Sequence, residues 1–144
     1  MILLSGRNER EFTIYMIGDS TMANKKLDSG NPERGWGFVL PGFFSEKVAI
    51  ENHAQNGRST KSFIDEGRWE TVRNKIRKGD YVFIQFGHND EKTDEKRHTD
   101  PGSTFDDNLR KFVNETREKG GIPVLFNSIV RRNFVDGVLT DTHG

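Results

Sequence analysis

Tyr81-Val82-Phe83-Ile84-Gln85-Phe86 is the stretch that most restricts what this chain can fold into. Its residues are nearly all β-branched or aromatic, as in a strand covered by apolar layers on both faces, which is the habit of parallel sheets. Lys78-Gly79-Asp80 in front of it reads as a helix stop followed by a turn. Three other runs share its character: Phe12 to Ile17, Val48 to Glu51 and Ile122 to Phe126. Pro123 stands at the start of the last run, where a missing N–H is tolerated. Helical spacing fills the gaps between the runs. Phe63, Ile64, Trp69, Val72 and Ile76 form one stripe, with Ser59 or Thr60 to cap it and Asp65 and Glu66 in its first turns. Gly67 interrupts that stripe, so one helix or two short ones fit equally. A second helix is expected from Phe105 to Lys119, with Phe105, Leu109, Phe112 and Val113 on one face, Thr104 and Asp107 at N-cap spacing, and Gly120-Gly121 closing it. Strands alternating with helices imply a parallel sheet joined by right-handed crossovers.

The 144 residues carry no internal repeat and no linker, and are read as a single domain, 1–144. Lysine plus arginine and aspartate plus glutamate number 22 each, so no net field argues for a nucleic acid or an anionic membrane as partner. Cysteine is absent, which removes disulfide frameworks, thiolate zinc sites and cysteine nucleophiles together. No two histidines have helical ligand spacing, so neither a metal nor an organic cofactor is expected. No apolar run has the length of a membrane span. Met1-Ile2-Leu3-Leu4-Ser5 is too short for the core of a signal peptide, so the location is cytoplasmic unless a leader has been removed, and then periplasmic or secreted.

Each of the first three strands ends in residues that can neither pack in a core nor extend a strand: Gly18-Asp19-Ser20-Thr21, Asn56-Gly57-Arg58 and Gly87-His88-Asn89-Asp90. In a parallel sheet these loops open on one edge, where open α/β folds place their ligands. Acyl transfer needs a nucleophile and donors aimed at the oxygen that becomes negative. Ser20 offers a hydroxyl, Gly57 a backbone N–H with no side chain in the way, and Asn89 an amide. Singly, each has a plainer role: Ser20 a helix cap, Gly57 and Asn89 turn residues. Their recurrence after consecutive strands favours convergence over coincidence. Glu91 to Ser103, charged and containing Pro101-Gly102, is a long loop at the same edge, either a lid over substrate or a mobile insertion.

Gly18-Asp19-Ser20-Thr21-Met22, Gly35-Trp36-Gly37, Asn56-Gly57-Arg58-Ser59-Thr60-Lys61-Ser62-Phe63 and Gln85-Phe86-Gly87-His88-Asn89-Asp90 together resemble successive blocks of the SGNH (GDSL-type) hydrolases. Arg131-Arg132-Asn133-Phe134 and Asp141-Thr142-His143-Gly144 are similar to the rhamnogalacturonan acetylesterase branch of that family. The resemblance runs from about Phe12 onward. It implies a flavodoxin-like three-layer α/β/α sandwich with sheet order 2-1-3-4-5. It also implies a serine-dependent acetylesterase acting on a pectin-like, acetylated carbohydrate. Ser20 would be the nucleophile, with its own N–H, Gly57 N–H and the Asn89 amide as the oxyanion hole. Asp19, Thr21, Arg58, His88, Arg131 and Arg132 are the candidate substrate contacts, the arginines suiting uronate groups. No Gly-x-Ser-x-Gly elbow is present, which disfavours the α/β-hydrolase fold.

One departure bears on catalysis. The family takes its base from an Asp-x-x-His block after a fifth strand and before a final helix, and no Asp-x-x-His spacing occurs among the 144 residues. Asp141-Thr142-His143 has the wrong spacing and matches a different family segment. Of the other histidines, His53 reads as a packed or edge residue and His98 as solvated. The expectation is a sheet of order 2-1-3-4 lacking its fifth strand and last helix. Activity would then fall to what an oxyanion hole and binding supply, about 10³–10⁴ over water. An open edge at Ile122 to Phe126 would favour a homo-oligomer or an exchanged segment. The readings set against this one are a catalytically incompetent carbohydrate-binding protein of the same fold and a nucleotide-binding flavodoxin-like module. The second is disfavoured because Asp19 puts a carboxylate where phosphate would lie.

Overall fold

A computed structural model describes residues 10–28 and 30–140. The elements run β1 (Phe12–Gly18), α1 (Trp36–Val39), a 3-10 turn (Leu40–Phe43), β2 (Val48–Asn52), α2 (Thr60–Asp65), α3 (Arg68–Arg73), β3 (Tyr81–Gln85), α4 (Thr104–Glu118), β4 (Ile122–Leu125), β5 (Phe134–Val135) and β6 (Val138–Leu139). Four strands form a parallel sheet in the order β2-β1-β3-β4, as expected. Gly18 at the end of β1 pairs with Gln85 at the end of β3, and Met16 with Asn52 at the end of β2, so the three strands finish nearly level. Among the described residues β4 has a strand on one side only, with Ile122 and Leu125 exposed.

Period-two alternation sends successive side chains to opposite layers. Tyr15, Ile17, Val82, Ile84 and Phe86 meet Phe63, Trp69, Val72 and Phe112 from α2, α3 and α4, and Ile76 from the turn after α3, all buried. Trp69 and Phe112 meet edge to face at 4.9 Å, a geometry that suits the ring quadrupoles. Ile14 and Met16 point the other way, to Met22, Ala23 and Ala54, with Phe12, Trp36, Tyr81 and Phe83 only partly buried beside them. Phe126 continues this second layer, its ring 5.1 Å from Phe83 and 5.2 Å from Trp36.

Two short helices, not one, lie between β2 and β3. Gly67 takes φ +70°, a left-handed conformation that costs other residues but not glycine, and the chain turns there from α2 into α3. Ser59 is the cap of α2: its hydroxyl accepts from Ser62 N while Ser62 Oγ accepts from Ser59 N. The expected cap of α4 is corrected. Ser103 is the residue before the helix and makes no side-chain cap bond, while the Thr104 hydroxyl accepts from Asp100 N at 2.8 Å and Asp107 N donates to the Ser103 carbonyl. The Thr104 side chain is thereby turned back toward the preceding loop and unavailable to the first turn. The β5–β6 hairpin was not anticipated. Asp136 and Gly137 both have positive φ, the requirement of a tight two-residue hairpin. Asp141, His143 and the first five residues lie outside the described residues.

Candidate active site

The loop after β1 begins with a buried carboxylate. Asp19 Oδ1 accepts from Thr21 N at 2.9 Å, and the Thr21 hydroxyl sits between that oxygen (2.8 Å) and Gln85 Oε1 (3.1 Å). The Asp19 carbonyl accepts from Met22 N and Ala23 N, so Ser20 rides on a single tight helical turn, half-buried. Local side-chain to backbone bonding of this kind is why Asp and Thr appear in turns.

After β2 the chain makes a turn closed by Arg58 N and the Gln55 carbonyl, with Gly57 at φ +76°. A Cβ on Gly57 would meet no atom within 4 Å, so glycine is there for its backbone angle, not for lack of room. After β3, Gly87 to Lys92 wind a short helical turn that carries Asn89 and Asp90 inward, at 7 % and 3 % exposure.

Hydrogen bonds tie these loops to one another across the carboxyl edge. Asn89 Nδ2 donates to the Arg58 carbonyl at 3.1 Å, one residue from Gly57. An amide nitrogen has two hydrogens. The carbonyl holds one and fixes the direction of the other. Lys25 Nζ, from the loop that follows Ser20, donates to Asn56 Oδ1 at 2.7 Å. Gln85, buried at the end of β3, accepts from Trp36 Nε1 at 2.6 Å and donates to the Asn127 carbonyl at 2.8 Å. It therefore joins the segment after β1, the end of β3 and the loop after β4. Ser20, Gly57 and Asn89 thus all stand on one edge, with Gly57 and Asn89 in the same hydrogen-bonded unit.

The remaining candidates divide. The Arg58 guanidinium reaches Glu66 and the Asn56 carbonyl, along the flank of α2. His88 Nε2 lies 2.8 Å from the Ile129 carbonyl, and Arg131 donates to the His88 carbonyl at 3.3 Å and to Glu91 at 3.2 Å, which gathers His88 and Arg131 on the β4 side of the edge. Arg132 is exposed nearby. His53 pairs with Glu51 at 3.2 Å on β2, and exposed His98 bonds the Lys92 carbonyl and Asp100. A cleft of about 340 Å³ lies between the loops after β3 and β4, walled by Asp90, Glu91, His98, Pro101, Phe105 and Ser128. The 91–103 loop is docked as its wall: Thr99 is buried, its N–H donating to the Asp90 carbonyl.

Two residues given no role from sequence prove central. Gln85 is the one polar side chain in an otherwise apolar strand, and that interruption was the available signal. Asp90 accepts on a single oxygen from Thr60 N, Thr60 Oγ1 and Thr99 Oγ1, and its other oxygen has no partner among the described residues. Burial pushes the Asp90 carboxyl above the usual carboxylate range, against the opposing pull of the threonine hydrogen bonds. Among the described residues no cluster of histidine and carboxylate groups could hold a metal ion.

The sequence pattern of the GDSL-like lipase/acylhydrolase family matches residues 14–133. The chain is 43 % identical over 126 residues to rhamnogalacturonan acetylesterase RhgT of Bacillus subtilis, a match covering 88 % of this chain and 53 % of that protein. It is 46 % identical over 78 residues to a rhamnogalacturonan acetylesterase of Emericella nidulans, covering 54 % of this chain and 28 % of that one. The crystal structure of protein YxiM from Bacillus subtilis superposes with a TM-score of 0.73 at 28 % identity, over 83 % of this chain and 33 % of that one. The chain thus spans about half the length of RhgT, 53 %.

Proposed function

This chain belongs to the GDSL-like lipase/acylhydrolase family, and on that premise we propose that its carboxyl edge is the nucleophile-and-oxyanion half of a carbohydrate acetylesterase site. The observation that carries the reading is the Asn89 amide, one hydrogen held by the Arg58 carbonyl, the residue that follows Gly57 in a turn where Gly57 takes a positive φ. In this reading the Ser20 hydroxyl attacks an acetyl carbonyl. The carbonyl oxygen gains charge and is met by Gly57 N–H and by the second Asn89 hydrogen. The sugar oxygen leaves with the proton that Ser20 gives up, and water then cleaves the acyl-serine, releasing acetate and returning a proton to Ser20 Oγ. Donors fixed before the reaction need no reorganisation as charge develops, which is why such a site accelerates the step. His53, His88 and His98 are held by Glu51, by the Ile129 carbonyl and by Asp100 respectively, and we assign the base to none of them.

The substrate class comes from the acetylesterase relatives: acetyl esters on a rhamnogalacturonan-like polysaccharide. His88, Arg131 and Arg132, grouped on the β4 side, are the groups we assign to its acidic sugars, with Thr21 beside Ser20. Asp19 shapes the serine turn from within. The test is release of acetate from acetylated rhamnogalacturonan and of p-nitrophenol from its acetate ester, comparing the chain with Ser20→Ala. The reading predicts turnover above buffer that disappears in the variant, with an unchanged circular dichroism spectrum. Equal rates with and without the hydroxyl would refute it.

A further inference from the structure

We infer that Asp90 is the positioning residue that sets the two oxyanion donors relative to each other; this rests on the esterase reading for its purpose, not for its geometry. Asp90 follows Asn89 directly, so whatever fixes its carboxylate fixes the backbone that aims the Asn89 amide. That carboxylate is bound across the edge to Thr60, through the backbone N–H at 2.9 Å and the hydroxyl at 2.5 Å. Thr60 opens α2 immediately after the Gly57-Arg58-Ser59 turn, so the same bond anchors the segment that presents Gly57 N–H. A third donor, Thr99 Oγ1 at 3.0 Å, pins the far end of the loop that begins at Glu91. Asn108 of α4 donates to Thr60 Oγ1 at 3.0 Å, which orients the hydroxyl toward Asp90.

One carboxylate oxygen therefore gathers three segments at a depth where water does not compete. The other oxygen is buried and has no hydrogen-bond partner among the described residues, so the carboxylate's bonding is concentrated on these three donors. An apolar side chain of similar size would fill the same space without a polar atom to satisfy, so packing alone does not account for an aspartate here. Holding the Gly57 and Asn89 loops at a fixed separation accounts for it, and oxyanion donors have that requirement.

The experiment is hydrogen exchange by mass spectrometry on the 144-residue chain, with Asp90→Ala, Asp90→Asn and Thr99→Ala. Asp90→Ala should speed exchange about tenfold or more in residues 55–60 and 87–92 while β1 and β3 stay protected. Asp90→Asn retains an acceptor oxygen and should restore protection in both segments. Thr99→Ala should loosen residues 92–99 and leave 55–60 as they were. With p-nitrophenyl acetate, Asp90→Ala should lower kcat with KM held, and Asn should recover it. Unchanged exchange at 55–60 in Asp90→Ala, or loosening of the whole sheet that Asn does not reverse, would overturn the inference. Should Asp90→Ala fail to fold, Thr60→Val takes its place, and it must loosen both segments. Absence of Ser20-dependent hydrolysis in the unmodified chain would remove the esterase reading alone, because the exchange pattern decides the positioning role independently.

Discussion

A buried aspartate stands near each end of β3, and the two are used differently. At the amino end Asp80 accepts from Thr13 N with one oxygen (2.7 Å) and from Arg77 N with the other (2.9 Å), closing the turn that leads into the strand. Every oxygen has a partner, and the groups it satisfies are the backbone of a neighbouring strand and its own turn. At the carboxyl end Asp90 loads one oxygen with three donors, and the other meets no donor among the described residues. The first arrangement is what stability alone selects. The second accepts an unsatisfied atom to hold loops that the sheet does not hold, and such concessions gather where a site must be aimed. The same contrast extends along the edges. Asp19, Ser59, Thr60, Gln85, Asn89, Asp90 and Thr99 are buried polar side chains near the carboxyl edge, while Thr13 and Asp80 serve the other.

The comparison breaks most visibly if Asp80 is replaced. Asp80→Ala orphans two backbone N–H groups and should cost about 2–5 kcal/mol of stability in urea unfolding, with little change in exchange at the Gly57 and Asn89 loops relative to the sheet. Loss confined to those loops would show that the two aspartates do the same work. Next in size is Asn89→Ala. It should leave the unfolding midpoint nearly in place and lower kcat about 10²–10³-fold, the usual worth of one oxyanion donor. A change in KM alone would instead make Asn89 a substrate contact.

Smaller, and of opposite sign at the two carboxylate types, is the response to pH. Asp90 is harder to ionise in the fold than in the unfolded chain. Its contribution to stability is complete below the ordinary carboxylate pKa and is lost as pH rises through the raised folded value. Asp90→Asn removes this dependence, so its stability relative to the unmodified chain should grow as pH rises from acid to neutral. A difference independent of pH would show that Asp90 titrates alike in both states. Smallest is the effect at Glu115, which joins α3 to α4. Burial opposes its ionisation, but hydrogen bonds from Lys111 and Trp69 outweigh it and hold the carboxyl below its ordinary value. That stabilisation is present above the ordinary glutamate pKa and is lost as pH falls through the lowered one. Glu115→Gln should therefore flatten the acid side of the stability profile and leave intact the loss of stability with rising pH that Asp90 contributes.

The parallel sheet was legible because four apolar runs and two helical stripes leave few alternatives, while the order β2-β1-β3-β4 came from the family resemblance, since right-handed crossovers allow several orders. The break at Gly67 was visible as an option, and its left-handed φ decided it. The hairpin at Phe134–Leu139 was also written plainly, as Asp136-Gly137 between apolar pairs, but two-residue strands fall below the length at which periodicity speaks. What could not be read was which polar residues turn inward. Nothing local marks Asp90 as buried and Arg58 as reaching along α2, because both follow a strand in similar company. The difference lies in partners 30 residues from Asp90 (Thr60) and 8 residues from Arg58 (Glu66). Such long-range pairing is set by topology, not by local spacing.

The central claim is that Ser20, Gly57 N–H and the Asn89 amide face one reacting atom. A crystal structure of the chain carrying a phosphonate bonded to Ser20 Oγ tests it most directly. The account predicts a phosphoryl oxygen within about 2.7–3.1 Å of both Gly57 N and Asn89 Nδ2, with the Asn89 to Arg58 bond preserved. A phosphonate oxygen turned to solvent, or an Asn89 amide swung away from it, would contradict the account.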